Sequence, residues 1–254
     1  MPNQEELRKI AENIDSMSLL LDDTFQFSCK GCGDCCRNRE DILLSSRDIF
    51  NIAKQLRMTT GQVKKTYCDC YIGESSRLPI IRLQPKGPFK SCPLLSGNRC
   101  RVHAVKPSVC ALYPLGRYLK NESSDETIKF GSEIGYLINP IYCGRDEIIS
   151  VREWLDKFNI PVDDPFFISW YDCAATVGSF IKLMEDKNLP DDCITWVIQI
   201  VAIFLYLEYD TSQAFMPQFE NNKQFILQLI IRLKNSPAGI QGAIEHHMRM
   251  QKGA

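Results

Sequence analysis

The sequence predicts an α+β fold in which a small cysteine-rich domain with short antiparallel strands packs against a mainly α-helical domain. Three observations lead there: cysteines concentrated in the first half, short β-type runs between about Leu78 and Asn139, and apolar residues at helical spacing after Ser150. The expected organisation is an N-terminal helix over residues 1–24, a cysteine-cluster domain over 25–150 and a helical domain over 151–254.

Each element has its local reason. In the first twenty residues, Leu7, Ile10, Ile14 and Met17 recur three or four apart between Glu5, Glu6, Lys9 and Glu12, the pattern of an amphipathic helix. Phe25 to Asn38 is turn-rich and has no helical period. Two short helices should follow, from Ser46 and from Thr59, each opened by a hydroxyl cap. LPIIRL, CRVHAV, LGRYLK, TIKFG and IGYLIN then read as strands of a small antiparallel sheet, punctuated by KGP, SGN and NESSDE. A hairpin from Leu94 to Cys100, turning at Ser-Gly-Asn, would bring Cys92 and Cys100 towards each other. After Ser150, helices are expected at VREWLDKF, Pro165 to Asp186, Asp191 to Tyr209, Phe219 to Lys234 and Ser236 to Gln251, with breaks at Pro161, Pro190 and Pro237.

Composition excludes several classes. With 254 residues, 44% of them hydrophobic and 24% charged, the chain is long and apolar enough to bury a core. Its formal net charge of −1 supplies no global field for gathering polyanions, so no nucleic-acid partner is expected. The apolar stretch from Ile194 to Leu207 is bounded by Asp191, Asp192 and Glu208, and it falls short of the about 20 residues that span a bilayer. A buried core helix and no membrane association are expected. Signatures of dinucleotide folds, P-loops, zincins and hydrolase elbows are missing, as is the C-x3-C-x2-C run of radical S-adenosylmethionine enzymes.

Cysteine is the unusual residue. Of the 12 in the chain, Cys29, Cys32, Cys35, Cys36, Cys68, Cys70, Cys92, Cys100, Cys110 and Cys143 fall in one stretch, and only Cys173 and Cys193 lie beyond it. The N-terminal residues show no basic segment followed by an apolar one, so a reducing cytoplasm is the expected compartment. There, clustered thiols bind metal or do redox chemistry more often than they form disulfides.

The central motif is Cys29-Lys-Gly-Cys32-Gly-Asp-Cys35-Cys36. A C-x2-C turn aims two sulfurs at one point, as a tetrahedral ion with metal–sulfur bonds of about 2.3 Å requires. Gly31 and Gly33 permit the positive φ that lets a chain curl around an ion. Consecutive C-x2-C units also resemble the run that holds bacterial ferredoxin clusters, whose fourth ligand is remote and often precedes proline, as in Cys92-Pro93. With Cys100, Cys110 and Cys143 the candidate ligands number eight, twice what one ion or one [4Fe–4S] cluster takes. Eight thiolates around a single Zn²⁺ would repel one another until protons returned. Either a second metal centre exists or some thiols stay neutral. Lys30, Arg37, Arg39, Lys90, Arg99, Arg101 and Lys106 lie near these cysteines in sequence and either favour their ionisation or solvate a loop surface.

This order of motifs, C-x2-C-x2-C-C, C-P-x-L, C-R-V-H, P-x-x-C-x-x-Y-P and C-G, resembles the YkgJ-type zinc- or iron-chelating cysteine-cluster family, which includes flagellin lysine-N-methylases. The resemblance covers about residues 25 to 158, including the Trp154 segment. It implies metal ligation by Cys29, Cys32, Cys35, Cys36, Cys92, Cys100, Cys110 and Cys143. In the methylase branch it implies a [4Fe–4S] cluster together with S-adenosylmethionine-linked lysine methylation.

Two functional expectations follow. One is an iron–sulfur enzyme acting with S-adenosylmethionine on a protein or small-molecule substrate, with an electron donor as a further partner. The other is a zinc-stapled binding module without catalysis. Cys68 and Cys70 read as structural, Cys173 and Cys193 as packing residues, His103 as a non-ligand, and Tyr113 and Tyr142 as apolar shielding. His246 and His247 receive no chemistry.

Overall fold

The computed structural model of the chain describes residues 16–121, 130–139, 144 and 146–235. A helix running through residue 20 does not form: Ser16 and Met17 are helical, but Ser18–Leu19 is a strand (β1) and Thr24–Gln26 a second (β2). Tertiary context overrides local propensity here, since Leu19 and Leu21 pack on a buried cluster while the backbone of β1 pairs with another strand. The rest of that expected helix, residues 1–15, lies outside the described residues.

The two helices expected next do form. Ser46–Leu56 (α1) and Thr60–Tyr67 (α2) each open with a reciprocal capping box, Ser45 with Asp48 and Thr59 with Gln62. The chain then turns extended, and Cys68–Ile72 (β3) pairs antiparallel with Pro79–Leu83 (β4), setting Cys70 opposite Ile81. The expected hairpin is present as Leu95–Ser96 (β5) and Arg99–Cys100 (β6), with Gly97 at φ 59 in its turn. CRVHAV does not continue as a strand: His103–Val105 is a 3₁₀ turn, and Ser108–Leu112 is a short helix (α3). Pro107, which cannot donate to a ladder, stands where such a strand would have to run on.

Leu115–Asn121 (β7) and Phe130–Ile138 (β8) pair antiparallel, and β1 takes the other edge of β8. The described parts of TIKFG and IGYLIN are therefore one strand. Ile148–Ser150 (β9) pairs with β2, so among the described residues the strands form four small antiparallel sheets where one was expected. Val151–Lys157 (α4), Pro165–Asp186 (α5), Asp191–Ala202 (α6) and Phe215–Asn235 (α7) supply the helical part, with Ile203–Leu207 continuing α6 as a π-helix. The segment 236–251, with His246 and His247, lies outside the described residues. Val197, Val201, Leu205 and Tyr206 are buried, and no described helix is long and apolar enough to cross a membrane.

The largest buried cluster joins the two regions. Ile49, Ile52, Val63, Ile81, Leu94 and Val102 meet Val177, Ile181, Val197, Val201 and Ile226, with Cys173 and Cys193 buried among them as packing residues. A second cluster gathers Phe25, Phe27, Leu112, Leu115, Tyr136, Val151 and Trp154 around β2, β7, β8 and α4.

A buried ionic knot ties these parts at one point. Asp164, 1% exposed, caps α5 through the Phe167 amide and takes a two-pronged hydrogen bond from Arg47 of α1 at 3.0 and 2.5 Å. Arg117 of β7 adds a third at 3.0 Å. Each guanidinium also lies over an aromatic ring, Arg47 on Phe166 and Arg117 on Phe167. Burial opposes the Asp164 charge, but the two arginines outweigh it and hold the carboxyl below the usual carboxylate range. Asp164→Ala would strand two guanidinium groups and is expected to cost about 3–5 kcal/mol in urea unfolding, because the uncompensated charges stay buried. A depressed folded-state pKa contributes stability above the unfolded value of about 3.9 and loses it as pH falls through the folded value. The stability gap between wild type and Asp164→Asn should therefore narrow in titrations below about pH 4.

Candidate metal centre

The knuckle is shaped by its glycines. Gly31 and Gly33 take φ of 64° and 77°, and the chain then winds into a 3₁₀ turn over Asp34–Cys36 that sets Cys35 and Cys36 side by side, their sulfurs 3.9 Å apart. Two bridges fasten this turn to the next cysteine-bearing loop. The Cys92 amide donates to the Cys36 carbonyl at 2.8 Å. The Arg37 fork donates to the Cys32 carbonyl at 2.9 Å and to Asn98 Oδ1 at 2.6 Å, in the hairpin turn that leads to Cys100.

Cys110 arrives on α3. The first turn of that helix is held by Asp48, whose Oδ1 accepts from the Ser108 amide at 2.8 Å and the Ser108 hydroxyl at 2.9 Å. Its last residue, Leu112, offers its carbonyl to Trp154 Nε1 at 3.0 Å.

Five of the eight expected ligands are thereby brought into mutual electrostatic influence. The Cys36 hydrogen bond, together with Lys106 and Arg39 and against the effect of burial, brings the Cys35 thiol down to about 6. Cys36 is pushed up by its bond to Cys35, by burial and by the neighbouring Cys92 and Cys110. Burial raises Cys92, with Cys100 and Cys35 adding to it, and likewise raises Cys100 and Cys110. Cys35, Cys36, Cys92, Cys100 and Cys110 are all half-buried, and each is a thiol outside any disulfide.

The remaining three stand differently. Cys29 is exposed and Cys32 half-buried, both on the arm before the Gly33 turn. Cys143 lies outside the described residues. Its neighbour Gly144, at φ 72°, accepts a hydrogen bond from the Ser28 amide at 2.7 Å, and a Cβ there would fall 2.0 Å from the Ser28 carbonyl oxygen. Only glycine permits that approach, one residue from Cys29. Tyr142 is outside the described residues as well. Cys68 is buried, and its thiol is pushed up to about 12 by burial first, then by Asp69. His103 is exposed.

The donor set is chemically uniform. Thiolates without carboxylate or imidazole suit soft ions, namely zinc, copper(I) and iron–sulfur clusters. Among the described residues, no three His, Cys, Asp and Glu side chains are closed into a metal-holding geometry, so the five thiols share a neighbourhood without converging on one point. Their type and location fit a metal, and side-chain rotation would have to complete the closure. An open cleft of about 1000 Å³ lies on one side, lined by Cys35, Arg39, Glu40, Lys90, Tyr113 and Asn139 among others. Arg39 pairs with Asp41 at 2.5 Å and Lys90 with Glu40. Tyr113, expected as shielding, does pack on Phe27 and also lines this cleft.

Sequence reasoning missed Arg37, Asp48 and Trp154 as the residues that position the thiols. In the sequence Arg37 stands out only as a cation near the cysteines and Trp154 only as part of the resemblance, and the Ser45-x-x-Asp48 capping pattern explains just half of the bonding of Asp48.

Comparison with curated proteins and with solved structures finds no match to this chain. Comparison with family models does: residues 28–130 match the model named CxxCxxCC, described as a "Putative zinc- or iron-chelating domain". The match stops short of Cys143 and Trp154, which the sequence resemblance had included. It contains the knuckle, the β5–β6 hairpin and α3, and over these residues the chain is similar to that zinc- or iron-chelating domain.

Proposed function

We propose that this chain holds an iron–sulfur cluster of the [4Fe–4S] type on four cysteines drawn from the thiol nest of Cys35, Cys36, Cys92, Cys100 and Cys110 together with Cys29, Cys32 and Cys143, the thiols left over staying neutral or serving a second metal centre. The observation that carries the reading is the gathering of five thiols from three separated segments, enough to supply the four cysteines of a cluster. Lys106 and Arg39 lie close enough to offset part of the negative charge such a centre carries. A cluster of this kind supplies electron transfer or, at an iron lacking a cysteine, a place for a substrate.

The cleft beside Cys35 gives that reading room for chemistry. Its volume is at the upper end of the range for small-molecule sites, about 300–1,000 Å³, and it opens next to a thiol of the nest. In an enzyme resembling the lysine methylases, this is where S-adenosylmethionine and a lysine side chain of a protein substrate would meet the centre. The zinc-stapled module has no separate observation in its favour, and it becomes an outcome of the test.

Anaerobic purification followed by iron, sulfide and zinc analysis and visible absorption decides between them. Several irons per chain with a broad band near about 400 nm are expected. One or two zincs in a colourless protein would replace this reading with the module. Cys92→Ser and Cys110→Ser should each lose most of the bound metal, while Cys193→Ser, in the helical core, should retain it at the wild-type level. Chelator treatment should lower the unfolding temperature of wild type, since an ion bound by the folded state alone stabilises it by mass action.

A further inference from the structure

α3 is too short to hold itself in place. Five residues provide about one turn, and isolated helices below roughly 12–15 residues are marginal in water. Cys110 sits in the middle of that turn, so its position depends on what grips the ends. Both ends are gripped from outside, by residues distant in sequence. Asp48, 5% exposed, spends Oδ1 on the Ser108 amide and hydroxyl, and Oδ2 on the Ser45 amide at 2.8 Å and the Ser45 hydroxyl at 2.7 Å. At the far end Trp154, 1% exposed, donates its indole N–H to Leu112.

Capping α1 alone would need only half of what Asp48 does. A carboxylate that accepts four hydrogen bonds, two from its own helix cap and two from the turn bearing Cys110, is a clamp between two elements. The adjacent Arg47 binds Asp164 of the helical region, so the same turn of α1 faces both ways. We propose that Asp48 and Trp154 are positioning residues that hold Cys110 at the metal centre, an inference that rests on the metal-binding reading above.

Asp48→Asn tests it with little change of shape. An amide has one accepting oxygen, so its NH₂ must face either the Ser45 or the Ser108 amide, and one of the two grips is lost. Binding of Co²⁺ alone to the full-length apoprotein, read by its thiolate charge-transfer band in competition with a chelator, should weaken about 10-fold or more. Ser45→Ala is the control: it removes part of the α1 cap without touching Ser108, and it should lower thermal stability while leaving Co²⁺ affinity unchanged. Trp154→Phe keeps the packing, deletes the N–H donor, and should weaken Co²⁺ binding in the same direction. Equal affinity in wild type, Asp48→Asn and Trp154→Phe overturns the proposal, as does an equal loss in Ser45→Ala.

A metal-free readout separates this inference from the function it rests on. In apoprotein, iodoacetamide should label Cys110 several-fold faster in Asp48→Asn than in wild type, measured by peptide mass. Faster labelling with no Co²⁺ binding in wild type would sink the metal reading and keep the clamp on Cys110. Unchanged labelling would overturn the clamp. Should Asp48→Asn fail to fold, Trp154→Phe decides both measurements.

Discussion

The hydrogen bond from the Cys92 amide to the Cys36 carbonyl is the contact on which the rest of the centre depends. It joins the 3₁₀ turn of the knuckle to the loop that leads into the hairpin, and does so at the cysteines themselves. A backbone bond of 2.8 Å fixes the two main chains against each other at that point. Once it is made, the hairpin carries Cys100 to the same neighbourhood and Arg37 closes the ring through Asn98. The fold brings distant thiols together by fastening backbone to backbone, leaving the sulfurs to adjust.

That arrangement has an electrostatic consequence. Half-buried thiols this close cannot all ionise in the absence of a cation: the surroundings lower the Cys35 thiol, while burial and neighbouring thiols raise Cys36, Cys92, Cys100 and Cys110. Cys35 is also the thiol of the group that lines the open cleft. Metal binding to such a site must displace protons, which couples the occupancy of the centre to the stability of the fold.

What could be read in advance follows the range of the interaction. The knuckle, the hairpin at Ser-Gly-Asn and the caps of α1 and α2 are set by residues within a few positions of one another, and all of them form. β3 was missed because Cys-Asp-Cys-Tyr-Ile becomes a strand only against Ile81 and Leu83 of its partner. The strand expected over CRVHAV gave way to a 3₁₀ turn ahead of Pro107, and α3 beyond it went unread because its position is dictated from Asp48 and Trp154, sixty and forty-two residues away from their partners. Which thiols share a nest was legible from spacing for Cys35 and Cys36 and from the hairpin for Cys92 and Cys100. The route by which Cys110 joins them was not, because nothing near it in sequence announces the clamp.

Sulfur ligation is the claim beneath all of this, and X-ray absorption at the metal edge of anaerobically isolated protein tests it directly. The account predicts a first shell of sulfur atoms at about 2.3 Å around the bound metal. A first shell of nitrogen and oxygen atoms at about 2.0–2.2 Å would contradict it, and would place the ion somewhere other than the nest of Cys35, Cys36, Cys92, Cys100 and Cys110.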